Sequence, residues 1–194
     1  MKETSLKLTF HPLTPERWSA FERFFGEQGA CGGCWCMWWK LKRSDFTKQK
    51  GEGNRRALRK LVDSGEIPGI LAYVGAEPVG WCAVAPREAY PALTRSRFLK
   101  RVDDRPVWSI VCFYVAKQFR RKGLTSALLK AALEHVEKHG GTLVEGYPVE
   151  ATTRRLPDVF AYTGLASTFR KMGFTEVARR SETRPIMRYT IEQK

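Results

Sequence analysis

The nine residues Gln118-Phe119-Arg120-Arg121-Lys122-Gly123-Leu124-Thr125-Ser126 carry three consecutive cations, one glycine and two small hydroxyl side chains. They follow an apolar, β-branched and aromatic run from Val107 to Val115 and lead into an amphipathic stretch that begins at Leu124. A helix starting there has no intrahelical acceptor for its first N–H groups, and its dipole adds positive potential at the same place. Gly123 allows a ligand to approach the backbone. Thr125 and Ser126 are too small to block it, and Arg120, Arg121 and Lys122 supply counter-charge. The chemistry implied is anion binding, phosphate above all. The spacing is neither the Gly-Lys-Ser/Thr of a P-loop nor the GxGxxG of a dinucleotide fold, which points away from NTPases and dehydrogenases.

Two other groups have side chains suited to chemistry. In Val144-Glu145-Gly146-Tyr147-Pro148, a strand would put Glu145 and Tyr147 on one face, a carboxylate able to accept a proton beside a phenol able to donate one. In Cys31-Gly32-Gly33-Cys34-Trp35-Cys36-Met37-Trp38-Trp39, three readings stay open. Cys31, Cys34 and Cys36 are potential zinc ligands, but the fourth would have to come from elsewhere, such as His11. Cys31 and Cys34 form a C-x-x-C that does not clearly open a helix, where a thiolate would be stabilised. In the third reading Trp35, Met37, Trp38 and Trp39 pack as a wall with small thiols filling gaps, and this metal-free reading is the expectation. Cys82 and Cys112 lie inside apolar strand patterns and read as inert core thiols, and His135 and His139 read as structural or exposed.

The elements that must position these groups follow from periodicity. Val107–Val115 is the pattern of a strand covered on both faces. From Leu124 the period becomes helical: Leu124, Leu128, Ala131 and His135, with Leu129, Ala132 and Val136, form one face, and Gly140-Gly141 ends it. Upstream, residues 6–10 suggest a short strand. Thr14-Pro15 starts a helix whose apolar face is Trp18, Phe21, Phe24 and Phe25. Residues 44–64 read as one or two basic helices interrupted near Gly51-Glu52-Gly53. Gly69–Val74 and Pro78–Ala85 flank Gly75-Ala76-Glu77 as a hairpin. Residues 86–106 form a long excursion, 143–149 a strand, 161–172 a helix, 175–180 a strand and 185–191 a last strand. No repeat or linker interrupts the chain, so residues 1–194 read as one mixed α/β domain.

The loop resembles the acetyl-CoA loop of the GNAT N-acetyltransferase superfamily, Arg/Gln-x-x-Gly-x-Gly/Ala, with Arg120, Gly123 and Thr125 at the marked positions. Thr125 departs from the usual Gly/Ala. Phe169-Arg170-Lys171-Met172-Gly173-Phe174 is similar to the family's late Tyr-x-x-x-Gly-Phe. The resemblance covers about residues 107–174. It implies a central, mostly antiparallel twisted sheet with a splayed parallel strand pair and flanking helices. It also implies acetyl-CoA as cosubstrate, with Arg120, Arg121, Lys122, Gly123, Leu124, Thr125 and Ser126 at the pyrophosphate and Val115 beside the pantetheine arm. The family builds acceptor walls in the segment where the Cys/Trp cluster falls, which makes Trp35 and Trp38 the substrate-contacting candidates.

The function so implied is direct transfer of an acetyl group from acetyl-CoA to the primary amine of a small molecule or peptide, with no metal. In many members the tyrosine of the late motif protonates the departing thiolate. Phe169 stands there instead, so the catalytic candidates become Tyr147, with Glu145 on its face, and Tyr162, two helical turns before Phe169. Tyr147 ranks first because of Glu145.

Composition sets the frame. The 194 residues are 43% hydrophobic and 12% aromatic, enough to bury a core. Five cysteines do not suggest a secreted disulfide framework, and neither a signal-peptide pattern nor a membrane span is seen, so a cytoplasmic enzyme is expected. A formal net charge of +14 exceeds what three coenzyme phosphates explain. It keeps open an alternative from another class, a non-catalytic GNAT-like module whose basic surface holds nucleic acid or an acidic protein, although no nucleic-acid motif is present. The same charge disfavours polycationic acceptors.

Overall fold

The computed structural model describes residues 7–151 and 161–192. In chain order the elements are β1 (Leu8–Pro12), α1 (Trp18–Phe25), α2 (Arg43–Lys48), α3 (Glu52–Asp63), β2 (Gly69–Val74), β3 (Glu77–Pro86), α4 (Pro91–Arg95), β4 (Trp108–Val115), α5 (Leu124–Lys138), β5 (Leu143–Gly146), α6 (Ala166–Lys171), β6 (Thr175–Arg179) and β7 (Pro185–Thr190). The strands form a seven-stranded sheet in the order β1-β2-β3-β4-β5-β7-β6. Every pairing is antiparallel except β4 with β5. This is the mixed α/β architecture expected, with the parallel β4–β5 pair in the centre.

Alternation along the strands sorts the core into two layers. On β2 and β3, Leu71, Tyr73, Trp81, Ala83 and Ala85 face one layer, where they meet Phe21 and Phe25 of α1, Leu58 and Val62 of α3, and Trp35 and Trp39. Ile70, Ala72, Cys82 and Val84 face the other, against Leu124, Leu128, Leu129, Ala132 and Val136 of α5 and Phe169 of α6. The buried face of α5 is the one its periodicity predicts. Gly80 serves that packing: a Cβ there would stand 3.1 Å from both Leu124 Cδ2 and Leu128 Cδ1, so its hydrogen lets the helix sit close to β3.

Two expectations are adjusted. The strand predicted over 143–149 pairs only to Gly146, and Val149 then makes an isolated bridge to Leu165. The helix predicted over 161–172 begins at Ala166. Gly164, at φ +85°, and its N–H to Ala161 O bond of 2.8 Å make a turn that precedes it. Tyr162 therefore precedes α6 instead of sharing a helical face with Phe169.

The pairing of β4 with β5 sets up the site. It runs through Trp108–Val144, Ser109–Glu145 and Ile110–Gly146 and stops there, while β4 continues to Val115. Two features end it. Pro148 has no N–H to extend the ladder. At Gly146 the ring of Phe169 lies so close that a Cβ would be 2.0 Å from its Cε1, so α6 is wedged against β5 where the strands part.

His135 illustrates burial of a titratable group on α5. Its ring meets Trp108 edge-on at 5.8 Å and lies 4.2 Å from His139. Burial first, then the neighbouring His139 and Lys138, push its pKa down from 6.5 to about 4. Between these values the unfolded chain binds a proton that the folded chain refuses. Stability is therefore fully present above the unfolded pKa and falls as pH drops through the window. Replacing His135 with Gln is expected to flatten the slope of unfolding free energy across that window, by at most about 1.4 kcal/mol per pH unit. Urea denaturation at several pH values checks this, and an unchanged slope rules the buried neutral imidazole out.

Candidate active site

A cavity of about 1170 Å³ opens along the length of β4 that has lost its neighbour. Its wall includes Cys112, Phe113, Tyr114 and Val115 of that strand. One end lies at the loop after β4, where Phe119, Arg120, Arg121, Gly123, Leu124, Thr125 and Ser126 line it. Gly123 adopts φ +77° as the N-cap of α5 and has no side chain to cap the helix, and the first backbone bond, Ala127 N–H to Gly123 O, is 3.1 Å. The N–H groups of Leu124, Thr125 and Ser126 precede that bond, so the helix start faces the cavity with its dipole. Among the described residues beyond its chain neighbours, no atom lies within 4 Å of where a Cβ on Gly123 would be, which leaves space over its backbone for a ligand. Arg121 is also left-handed, at φ +61°, which turns the chain sharply into the helix. Arg120 donates Nε–H to Val115 O at 3.1 Å, tying the loop back to the strand end. Lys122 does not line the cavity; its ammonium stands over the Phe119 ring at 6.0 Å.

Cys112 is three residues, roughly 10 Å, back along β4 from Val115. At this level the wall changes character, to Ala30, Cys31, Cys34, Cys36, Trp38, Trp39, Phe46 and Tyr162. The Cys36 thiol donates to Cys112 Sγ at 3.7 Å and accepts Trp81 Nε1–H at 3.0 Å, which fixes the Cys/Trp segment on the sheet. That segment is wound tightly: Ala30, Trp35 and Cys36 have φ of +68°, +43° and +55°. Gly29 makes room for it, since a Cβ there would be 2.3 Å from Trp35 Nε1.

The winding separates the two tryptophans expected to contact substrate. Trp35 is 2% exposed, stacked on Phe25 at 5.7 Å and on Trp18 at 6.4 Å, and is absent from the cavity wall. Trp38 is 39% exposed, lines the cavity, and meets Phe46 edge-on at 5.1 Å. Two of the thiols here are held protonated: burial pushes Cys34 up to about 11, and the bond to Cys112 together with burial raises Cys36 well above its usual range. Neutral thiols of this kind are poor nucleophiles and poor metal ligands. Among the described residues no three His, Cys, Asp or Glu side chains are grouped to hold a metal ion.

The two candidate tyrosines are likewise separated. Tyr147 is fully buried and does not line the cavity. Its hydroxyl accepts Arg87 Nη1–H at 2.6 Å, lies 2.8 Å from Ser109 Oγ and donates to Glu145 Oε2 at 3.0 Å. Glu145, 1% exposed, is held by Arg188 Nη2 at 2.6 Å and lies 3.5 Å from Arg87 Nη1. The two residues do share a face of β5, as the strand period predicts, but it is the face that Arg87 and Arg188 occupy. Desolvation, reinforced by the Glu145 charge, pushes the Tyr147 phenol far above its ordinary range. Tyr162 does reach the cavity, half-buried, with its pKa pushed up to about 12 mainly by burial, and its carbonyl accepts Phe113 N–H at 2.6 Å.

Phe169 is fully buried, with a ring carbon 2.8 Å from where a Cβ on Gly164 would be and the para carbon 2.7 Å from one on Gly146. Sequence reasoning missed Phe46, Leu165 and Thr168 as wall residues and took Cys112 for core. Phe46 and Thr168 carry no local signal. Cys112 does, because a strand that loses a neighbour beyond Ile110 exposes the residues that follow.

A family model described as Acetyltransferase (GNAT) family matches residues 35–154. No curated protein matches the chain. Among solved structures, a GNAT-family acetyltransferase from Streptococcus agalactiae 2603 is similar with a TM-score of 0.56 at 15% identity, covering 96% of each chain. The PaiA N-acetyltransferase from Thermoplasma acidophilum, in complex with coenzyme A, has a TM-score of 0.53 at 13% identity, covering 95% of this chain and 99% of that one. The NatC complex bound to Gag peptide and CoA contains a chain similar with a TM-score of 0.52 at 10% identity, covering 95% and 99%. At these identities the likeness establishes the fold alone.

Gly123 is the sharpest test of the loop. Gly123→Val puts a β-branched residue at φ +77° and fills space that no other described residue occupies. We expect a loss of about 1–2 kcal/mol in folding stability from the backbone alone. Affinity for coenzyme A should drop by more than that strain predicts, whereas Arg121→Ala with Lys122→Ala, exposed charges, should weaken binding less. Calorimetric titration alongside thermal denaturation measures both, and undiminished coenzyme A affinity in folded Gly123→Val removes the cradle.

Proposed function

The chain belongs to the acetyltransferase (GNAT) family, whose model matches more than half of it, and we propose that it transfers acetyl directly from acetyl-CoA to a primary amine. The observation that carries this reading is the continuity of one cavity. It runs from a helix N-terminus that begins at Gly123, along the part of β4 beyond its pairing with β5, to a wall of aromatic rings and neutral thiols. An anionic, extended thioester fits that order of surfaces: phosphate at the N–H groups, arm along the strand, acyl group at the change in wall character.

In this proposal the amides of Leu124, Thr125 and Ser126 hold pyrophosphate, with Gly123 giving access and Arg120, Arg121 and Lys122 adding potential. Val115 and Phe113 flank the arm. Tyr162 is the proton donor to the leaving sulfur. Its hydroxyl stays protonated across neutral pH and so carries a proton to donate, not a site to accept one. Tyr147 and Glu145 hold β5 in place and take no proton from substrate. The neutral thiols of Cys34 and Cys36 favour direct attack by the amine over an acetyl-cysteine intermediate.

Acetyl-CoA consumption with an amine panel, followed by thiol release and product mass, tests the activity. Tyr162→Phe is expected to lower turnover about 10²-fold with unchanged acetyl-CoA affinity. Tyr147→Phe is expected to lower stability instead, leaving turnover per folded molecule within a few-fold of the parent. The reverse pattern would return the acid role to Tyr147.

A further inference from the structure

We infer that the acceptor is an uncharged aromatic amine, one whose nitrogen is unprotonated at neutral pH, as in an aniline, and not an alkylammonium, a polyamine or a peptide N-terminus. This rests on the acetyl-transfer reading of the same cavity and concerns the end beyond Cys112.

The wall there is flat and apolar. The Trp38 ring is the large surface left open, where Trp35 and Trp39 are buried at 2% and 8% exposure. Phe46 stands edge-on to it, which holds the indole face in a fixed direction, and Tyr162 closes the site near β4. A planar ring stacks on such a surface with little loss of conformational freedom.

Among the described residues that line this end of the cavity there is no carboxylate and no imidazole, and Arg120 and Arg121 stand at the other end, by the helix start. Two cations act electrostatically on the acceptor end from behind it: Lys40 on Cys36 and Arg184 on Tyr162. Lys40 is balanced by Glu66 at 3.7 Å, on the far side from the cavity. Arg184 donates to the hydroxyl of Thr163 at 2.9 Å, which leaves its charge uncompensated by that contact. An ammonium entering here would give up water for thiols that carry no charge. The Trp38 face would attract it through its π-cloud, but only weakly at so exposed a ring.

The chemistry agrees. An alkylamine is protonated at neutral pH, as lysine is, and attacks only after a base removes that proton. Among the described residues of the wall, the Tyr162 hydroxyl and the protonated thiols of Cys34 and Cys36 accept none. An aromatic amine delocalises its lone pair into the ring and arrives unprotonated. Its nitrogen bonds to the thioester carbonyl carbon. The carbon–sulfur bond then breaks with its electron pair on sulfur, and the sulfur takes the Tyr162 proton. The nitrogen, now strongly acidic, releases one proton to water, and Tyr162 is reprotonated from solvent. The products are the N-aryl acetamide and free coenzyme A.

The experiment compares p-toluidine, 2-phenylethylamine, spermidine and a short peptide with a free N-terminus, each with acetyl-CoA. At pH 7, p-toluidine is expected to show a kcat/KM about 10-fold or more above any of the other three. From about pH 6 to about 9 its rate should stay level, whereas the phenylethylamine rate climbs with its neutral fraction. Trp38→Ala, a change at a partly exposed ring, should raise the KM for p-toluidine about 10-fold and leave acetyl-CoA affinity unchanged. Cys31→Asp, which adds a carboxylate to the exposed edge of the wall, should move the preference toward phenylethylamine. A faster reaction with spermidine or the peptide overturns the inference. So does acetyl-CoA binding with no turnover of p-toluidine, which leaves the cradle standing. Absence of acetyl-CoA binding overturns the acetyltransferase reading itself.

Discussion

A carboxylate with 1% exposure, that of Glu145, governs the geometry of the sheet's centre. A charge so deep persists only among partners. Arg188 binds it from β7, Tyr147 from the end of β5, and Arg87 stands 3.5 Å away at the start of the excursion after β3. Arg87 also donates to Leu99 O at 2.6 Å, and Arg188 reaches Asp103 at 2.7 Å, so the long excursion is tied down at three points along its length. These contacts converge one residue before the last β4–β5 pair, Ile110–Gly146. The strands are locked together up to that level. Beyond it the cavity begins.

The opposite face of the same strand is controlled by shape. Phe169 fills the space over Gly146 and Gly164, with Phe113 and Phe174 edge-on to its ring at 6.2 and 4.9 Å. The ring edge at Cε1 occupies the space that a side chain at 146 would need, so Gly146 and the ring of Phe169 are matched in shape.

Much of this was legible from the chain alone. The strand, basic loop and helix between Val107 and Gly141 declare themselves by a change of period and by Gly123, and the buried face of α5 follows residue for residue. The hairpin around Gly75 and the break between α2 and α3 were equally plain. What stayed hidden depends on distant partners. Glu145 and Tyr147 share a strand face whichever way it turns, and only Arg87 and Arg188, 60 residues before Tyr147 and 43 after Glu145, decide that it turns inward. Trp35 and Trp38 look alike in sequence, but left-handed backbone at Trp35 and Cys36, unusual for side chains of that size, buries one and presents the other. Tyr162 was noticed for a helical spacing that does not exist, because Gly164 delays the helix. It reaches the cavity by a turn instead.

The turn before α6 has a bearing on the bare edge of β4. Past Ile110 that strand pairs with no other described strand on one side, and such an edge is a template on which a strand from another molecule can pair. The Tyr162 carbonyl takes the N–H of Phe113, midway along the unpaired length. What remains on either side is shorter than an ordinary strand needs. The molecule thereby keeps a gap in its own sheet, wide enough for a slender ligand, without offering neighbouring copies a continuous ladder on which to aggregate.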